Sequence, residues 1–183
     1  NQYANDLVKK ANVVFASVGA MSDQVFYNNL LDDAAKYGNT VIIPSGAIGG
    51  LDAIDAVKDS ITFIEIITTK SPESSSGAKG FSDYENYKFT SPEVIYSGTA
   101  TNAIKLFPKN LNVAVTLSLF GLGPDKTNVT VVADPDVKMN CHKINLKGQF
   151  GEMSFDFKLE KSIKNPKTSA LAGLSIIKIL KDY

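Results

Sequence analysis

The only histidine of the chain, His142, directly follows its only cysteine, Cys141, in the stretch MNCHKINL. A thiol and an imidazole can form a nucleophilic dyad, but only when they are in hydrogen-bond contact. The stretch has the composition of a β-strand, in which neighbouring side chains point to opposite faces. The pattern therefore argues against a dyad. Two interpretations of His142 stay open: an acid–base residue with a pKa near neutrality, or a hydrogen-bonded structural histidine.

A metal site is the next chemistry to consider, because Asp134 and Asp136 shortly precede His142 and carboxylates and imidazole are metal ligands. Asp134 is followed by Pro135, however, and this pair is typical of a turn. A single cysteine also excludes an internal disulfide and any zinc or iron–sulfur site built from several cysteines. The sequence therefore predicts no metal centre.

The glycine-rich segment SGAIGG, residues 45–50, lies between an apolar strand-like run and a helical pattern. Such loops let backbone N–H groups approach a ligand closely. The segment is not the G-x-G-x-x-G dinucleotide fingerprint, which occurs nowhere in this sequence. By itself it indicates either a ligand-binding loop or a tight turn.

Two predicted helix starts carry polar residues that could cap the helix or bind a ligand. Asn112 opens an almost wholly apolar helix, where asparagine is a common cap. Lys167, Thr168 and Ser169 open the last helix, where they suit either capping or an anionic group at the positive end of the helix dipole. The residue types leave both interpretations open.

The order of the predicted helices and strands that position these residues changes along the chain. Strand, helix, strand, loop and helix follow one another up to about residue 59, which is typical of a parallel α/β sheet. A long strand, a Ser-rich loop over residues 71–93, a further strand, two helices, three strand-like runs with hairpin-type turns at residues 147–151 and a final helix come next, which indicates an α+β domain. We therefore predict α/β architecture with a boundary near residues 50–60.

Composition bounds the function. The 183 residues include 19 basic and 19 acidic residues, so the basic excess of most nucleic-acid-binding surfaces is absent. No apolar run reaches the roughly 18 residues of a membrane span. The single cysteine fits a reducing compartment, and we expect a cytoplasmic protein without a nucleic-acid or membrane partner.

Five segments occur in order along the chain: IPSGAIGGLDAI, KLFPKNLNVAVTLSL, VTVVADPDVKMNCHKI, GQFGEMSF and NPKTSALAGLSI. In this order and at these separations they closely resemble the L-aspartate dehydrogenase family over nearly the whole chain. The resemblance implies that residues 1–55 are the C-terminal portion of a Rossmann-like nucleotide-binding domain. Residues 56–183 would form an α+β catalytic and dimerisation domain with a mixed or antiparallel sheet, and the protein would be a homodimer.

The resemblance also implies a reaction and its residues. The reaction is the NAD- or NADP-dependent oxidation of L-aspartate to iminoaspartate, which gives oxaloacetate and ammonia or feeds NAD biosynthesis. The family's catalytic histidine matches His142, and its nicotinamide contacts match Ala47 and Asn112. A dicarboxylate also needs cationic or N–H partners. Lys167, Thr168 and Ser169 are candidates for that role, inferred from charge and position rather than from the family.

The family's N-terminal dinucleotide fingerprint has no match in this chain. We therefore expect a fragment of a longer protein, and weak or absent NADH and NADPH binding by these 183 residues alone. Two alternatives remain: a non-catalytic dimerisation or binding module of the same fold, and a related dehydrogenase for another small amino or oxo acid. The joint presence of His142, Ala47 and Asn112 favours the aspartate dehydrogenase.

Overall fold

The computed structural model describes residues 3–108, 111–163, 165 and 168–182. Its helices are α1 (Ala4–Val8), α2 (Gln24–Lys36), α3 (Leu51–Ala56), α4 (Pro72–Ser75), α5 (Ala100–Leu106), α6 (Asn112–Phe120) and α7 (Ala170–Asp182). Its strands are β1 (Val13–Val14), β2 (Val41–Ile42), β3 (Ile61–Lys70), β4 (Glu93–Thr99), β5 (Asn128–Ala133), β6 (Asn140–Gly148) and β7 (Gly151–Leu159). None of the helices in these ranges is long and apolar enough to cross a membrane.

The first part of the chain forms the predicted parallel strand pair. Strands β1 and β2 pair in parallel, and α2 connects them. Helix α2 begins directly after Asp23, whose carboxylate accepts hydrogen bonds from the backbone N–H groups of Val25 and Phe26. Parallel strands have their carboxyl ends at the same edge of a sheet. The segments that follow β1 and β2 are therefore brought together there.

The second sheet has five strands in the order β4-β5-β3-β6-β7. Strand β3 is parallel to β5 and antiparallel to β6, so the sheet is mixed, one of the two forms that the family resemblance implied. The hairpin turn predicted at residues 147–151 is confirmed. Strands β6 and β7 form a hairpin closed at Gly148 and Gly151, whereas β3 lies between β5 and β6. Strand β3 in the centre of the sheet is the longest strand, and its alternate residues Ile64, Ile66, Thr68 and Lys70 are buried.

One face of this sheet forms the core. Ile64 and Ile66 of β3 and Ile144 and Leu146 of β6 are fully buried on that face. Helix α6 is buried along residues 113–119, as its apolar sequence predicted. The opposite face carries half-buried and exposed side chains. Strands with this period-two alternation have one face on the core and one open face.

The Ser-rich segment 71–93 contains more structure than the predicted loop. It includes α4, which begins with Pro72 at its first position, and a 3₁₀ helix over Lys79–Tyr84. The Phe81 ring is buried and stacks on Phe89, with 6.0 Å between the ring centroids. The polar composition of the segment concealed these aromatic anchors, which fix it against the core.

Candidate active site

A cavity of about 190 Å³ lies between the inner face of the five-stranded sheet, the start of α7 and the segments that follow β1 and β2. Five of the six residues that the sequence analysis proposed for catalysis, cofactor binding or substrate binding line it. They come from four separate places in the chain, and they are Ala47, Asn112, His142, Thr168 and Ser169. Lys167, the sixth, lies outside the described residues. The fold thus brings the sequence candidates together at one small-molecule pocket.

His142 lies on the inner face of β6 with only 2% of its surface exposed. Its Nδ1 atom is 3.1 Å from Oγ1 of Thr68, the residue directly opposite it on β3. Burial, followed by the positive charge of Lys70, lowers the pKa of His142 to about 3. The imidazole is therefore neutral near pH 7 and has a lone pair available to accept a proton.

Cys141 points to the opposite face of β6, as strand geometry predicted. It is half-buried there, and burial raises the pKa of its thiol. A thiol on the far side of the sheet cannot reach His142. The structure therefore removes the Cys–His dyad.

The acidic residues before β6 form a turn. The backbone N–H of Asp136 donates to Oδ1 of Asp134 at 2.9 Å, as the Asp-Pro pair indicated. Among the described residues, no group of three or more His, Cys, Asp or Glu side chains is placed to hold a metal ion. Asp134 therefore has a local backbone role.

Ala47 lies in the turn after β2. The backbone N–H of Ile48 donates to the carbonyl of Ser45, and Gly46 between them has a φ of 64°. Only glycine adopts this conformation readily, which explains one of the glycines in SGAIGG. Ala47 itself is buried, and its methyl group leaves room in the pocket. The segment is thus both a tight turn and a wall of the pocket.

Asn112 does not act as the helix cap that its position suggested. The cap position of α6 is Leu111, and no side chain caps that helix end. The side-chain Oδ1 of Asn112 instead accepts a hydrogen bond from Ser17, in the segment after β1, at 3.4 Å. This contact joins the two parts of the chain at the pocket wall.

Thr168 and Ser169 enter the pocket where α7 begins. Ser169 is buried, and its hydroxyl accepts a hydrogen bond from the Asn140 amide at 3.4 Å. The Thr168 hydroxyl donates to the Asn165 carbonyl at 3.1 Å. Both hydroxyls therefore help to fix this segment over the inner face of the sheet.

Lys70 is the pocket residue that the sequence interpretation missed. It is the last residue of β3, is 5% exposed and lines the same cavity as His142. Burial, and then the nearby charge of Lys161, lowers its pKa to about 8. The alternation Ile64, Ile66, Thr68 and Lys70 was visible in the sequence and places this lysine on the inner face. The sequence analysis did not use this alternation, because a lysine at the end of a strand is usually exposed to solvent.

The pocket wall fits a nicotinamide ring. Phe15, Val18 and Pro44 give it an apolar surface, and Ala47 adds no bulk. The Asn112 amide has the donor and acceptor groups that match a carboxamide. The residues present thus suit the part of the cofactor that reacts.

A family model described as "Aspartate dehydrogenase, C-terminal" matches residues 52–183. The L-aspartate dehydrogenase of Nitrosopumilus maritimus is 47% identical over 176 residues, which are 95% of this chain and 65% of that protein. The L-aspartate dehydrogenase of Methanocella arvoryzae is 40% identical over 182 residues, covering 96% of this chain and 66% of that protein.

A solved structure agrees with these sequence relatives. The crystal structure of aspartate dehydrogenase from Thermotoga maritima superposes with a TM-score of 0.79 at 29% identity, covering 99% of this chain and 68% of that chain. This chain thus spans just under two thirds of the length of the sequence relatives named above. By the family match over most of its length, the chain belongs to the aspartate dehydrogenase family through that family's C-terminal domain.

Proposed function

We propose that the chain is the catalytic part of an NAD- or NADP-dependent L-aspartate dehydrogenase. The reaction is oxidation of the CH–NH₂ group of L-aspartate to iminoaspartate, which yields oxaloacetate and ammonia or enters NAD biosynthesis. The observation that carries the proposal is the meeting of His142, Ala47 and Asn112 at one cavity. Nothing in the spacing of these residues along the chain requires that meeting.

Ala47 and Asn112 would hold the nicotinamide end of the cofactor, which would supply the hydride acceptor for the substrate Cα. The small side chain of Ala47 lets the ring approach the wall, and the Asn112 amide pairs with the carboxamide. Ser17 holds the Asn112 side chain in place. This wall fixes the position of the ring and excludes water from one side of it.

His142 takes a proton from the substrate amino group. An ammonium group cannot release a hydride from its carbon until the nitrogen is deprotonated, and a neutral imidazole in the pocket is the base available for this. The same residue activates a water when the imine is hydrolysed. Thr168 and Ser169 contact the substrate at the start of α7, and Lys167 stays a predicted contact of the same kind.

We also propose the domain boundary and the assembly. Residues 1–55 belong to the nucleotide-binding domain and residues 56–183 to the catalytic domain, which is supported by their separate sheets. The chain forms a cytoplasmic homodimer through the open face of the five-stranded sheet. Ile67 and Val132 are only half-buried on that face, and Val94 is 58% exposed. Light scattering of the purified protein tests the dimer, and a monomer at micromolar concentration would contradict it.

Reductive amination tests the activity. The complete protein that contains this chain is mixed with oxaloacetate, ammonia and NADH or NADPH, and cofactor oxidation is followed at 340 nm. We expect turnover that falls by at least about a hundredfold in the variant His142→Ala, because acid–base catalysis contributes roughly 10²- to 10⁴-fold. The control Asn29→Ala changes an exposed residue of α2 and retains the wild-type rate.

Two results would reject the proposal. An unchanged rate in a folded His142→Ala protein removes the catalytic assignment. Turnover of other oxo acids without turnover of oxaloacetate favours a related dehydrogenase with a different substrate.

A further inference from the structure

Asn140 is a buried amide whose hydrogen bonding is incomplete. It is the first residue of β6, and none of its surface is exposed. Its Nδ2 atom donates to Oγ of Ser169 at 3.4 Å, whereas its Oδ1 atom has no hydrogen-bond partner among the described residues. In that part of the chain it is the only buried side-chain oxygen or nitrogen without one. A buried polar atom without a partner lowers stability, so the amide at this position calls for a reason other than stability.

Asn140 lies on the same face of the sheet as His142. The two residues are two positions apart on β6, and both are buried on its inner face. Asn140 does not line the pocket, but its partner Ser169 lines it together with His142. Any effect of the Asn140 amide on a bound ligand is therefore transmitted by the Ser169 hydroxyl.

The main chain around Ser169 is held by backbone contacts. Ser169 forms an antiparallel bridge with Lys161. The backbone N–H of Ala170 donates to the carbonyl of Glu160 at 3.1 Å. This bond is shorter than the 3.4 Å contact with Asn140, which lies beyond the usual range of N–H···O distances. The specific effect of the amide is therefore on the orientation of the hydroxyl rather than on the position of the backbone.

The direction of the Ser169 hydroxyl follows from its hydrogen-bonding capacity. A serine hydroxyl has one O–H group that donates and two lone pairs that accept. The Asn140 N–H occupies one lone pair, so the hydroxyl hydrogen points away from Asn140. Among the described residues the Ser169 hydroxyl has no second partner, and Ser169 lines the pocket. Its O–H group is thus left to donate to an acceptor inside the pocket.

We propose that Asn140 is a positioning residue that orients the Ser169 hydroxyl into the pocket, where the hydroxyl donates to a carboxylate oxygen of the substrate. This inference rests on the proposed function and adds a residue that acts behind the pocket wall. A hydrogen bond to a carboxylate is roughly twice as strong as one between neutral groups. A hydroxyl that is oriented in advance also loses less rotational freedom when the substrate binds.

A double-mutant cycle tests whether Asn140 acts through Ser169. Succinate, which has carboxylates but no amino group to oxidise, is titrated by calorimetry into the complete protein that contains this chain. Asn140→Leu keeps the branching at Cγ and removes the amide. We expect succinate affinity to fall at least about threefold in Asn140→Leu and at least about tenfold in Ser169→Ala, as for the loss of a hydrogen bond to a charged group. The double variant should bind succinate as Ser169→Ala does.

Two results of the cycle would overturn the proposal. A loss of succinate affinity smaller than threefold in folded Asn140→Leu shows that the amide has no role in binding. A further loss of threefold or more when Asn140→Leu is added to Ser169→Ala shows that the amide acts through another group.

Stability distinguishes this role from a structural one. Asn140→Leu removes a buried atom without a partner, so the midpoint of urea unfolding should not fall below that of the wild type. A lower midpoint with unchanged succinate affinity identifies a structural amide and overturns the proposal. Asn140→Ala removes the same amide without adding bulk, and its succinate affinity is measured instead if the leucine variant does not fold. If neither variant folds, the amide is required for folding and the proposal is wrong.

Asn39→Ala is the matched control. Nδ2 of Asn39 donates to the carbonyl of Val8 at 2.8 Å, and neither residue lines the pocket. This variant should lower the midpoint of urea unfolding and bind succinate as the wild type does. A threefold or greater loss of affinity in Asn39→Ala would show that succinate affinity follows stability, which would overturn the proposal.

The positioning role and the proposed function fail in different ways. If the wild type does not oxidise L-aspartate but the cycle couples Asn140 to Ser169, the proposed function fails and the positioning role stands. If the wild type oxidises L-aspartate and Asn140→Leu leaves both succinate affinity and the KM for L-aspartate unchanged, the positioning role fails and the proposed function stands.

Discussion

Nδ1 of His142 lies 3.1 Å from Oγ1 of Thr68, across the antiparallel pair formed by β6 and β3. Both residues are almost fully buried, so water does not compete for this hydrogen bond. The partner of one ring nitrogen decides which tautomer the imidazole adopts and how the ring is oriented. The other nitrogen, Nε2, is therefore the atom available to exchange a proton with a ligand.

Replacing Thr68 with valine keeps the shape of the side chain and removes its hydroxyl. We expect kcat for aspartate oxidation to fall about tenfold, the equivalent of one hydrogen bond of about 1.4 kcal/mol, and the pH profile of kcat to move. Thr68→Ser should retain most of the activity. Thr62→Val is the matched control at the exposed start of the same strand. Equal activity of the valine and serine variants at position 68 would show that the hydroxyl has no positioning role.

The buried neutral histidine makes folding sensitive to acid. The unfolded chain binds a proton at the ordinary histidine pKa of about 6.5, whereas the folded state does so only at about 3. The free energy of unfolding therefore falls as the pH is lowered through this window, by about 3 kcal/mol between pH 7 and pH 4. His142→Gln should lose this component in urea titrations at each pH. The chain has one histidine, so the difference in unfolding free energy between wild type and His142→Gln at each pH gives the contribution of His142. Equal changes of unfolding free energy with pH in both proteins would contradict the burial of a neutral His142.

Ala47 is buried and lines the pocket that we propose holds the nicotinamide end of the cofactor. Ala47→Leu adds volume to a wall that is already buried, so we expect NADH affinity of the complete protein to fall at least about tenfold. Ala35→Leu, on the exposed side of α2, is the control and should bind NADH normally. Normal NADH affinity in the position 47 variant would remove Ala47 from the cofactor site.

Gly50 directly precedes α3 and packs against Phe155 in the hairpin of β6 and β7. Its φ is 72°, and a Cβ atom there would lie 2.5 Å from the ring of Phe155. Gly38 has a similar φ of 71° with open space around it, so Gly38→Ala measures the backbone cost alone. We expect Gly50→Ala to reduce the free energy of unfolding by a further 1–3 kcal/mol, roughly the cost of overpacking a core. If thermal or urea unfolding shows that Gly50→Ala and Gly38→Ala lose the same free energy of unfolding, the Phe155 ring moves aside.

Local pattern predicted much of the fold. Asp23 at a helix start, the alternation in β3 and the apolar length of α6 each depend on neighbouring residues alone. The exceptions came from contacts between distant parts of the chain. Strand β5 pairs in parallel with β3, from which α4, β4, α5 and α6 separate it along the chain, and the aromatic rings of segment 71–93 anchor what looked like a polar loop.

Some residues of the candidate site could likewise be predicted from the sequence, whereas Lys70 depended on tertiary contacts. Residue type and family resemblance predicted His142, Ala47 and Asn112 as candidate site residues, and strand geometry separated Cys141 from the histidine. The same information left Lys70 unrecognised, because a lysine at the end of a strand is usually solvated. Its burial depends on α7 and the segments after β1 and β2 closing over the inner face of the sheet.

The sequence alone determined which chemical groups exist and which face of each element they occupy, since side-chain alternation follows from local backbone geometry. It determined a single imidazole, a neutral overall charge and a resemblance that named the expected reaction. The tertiary structure decided which of these groups line the same pocket. Burial and the distances between strands control pKa values and ion pairing, and both arise from contacts between residues far apart in the chain. A lysine at the end of β3 thus became part of the same pocket as the histidine.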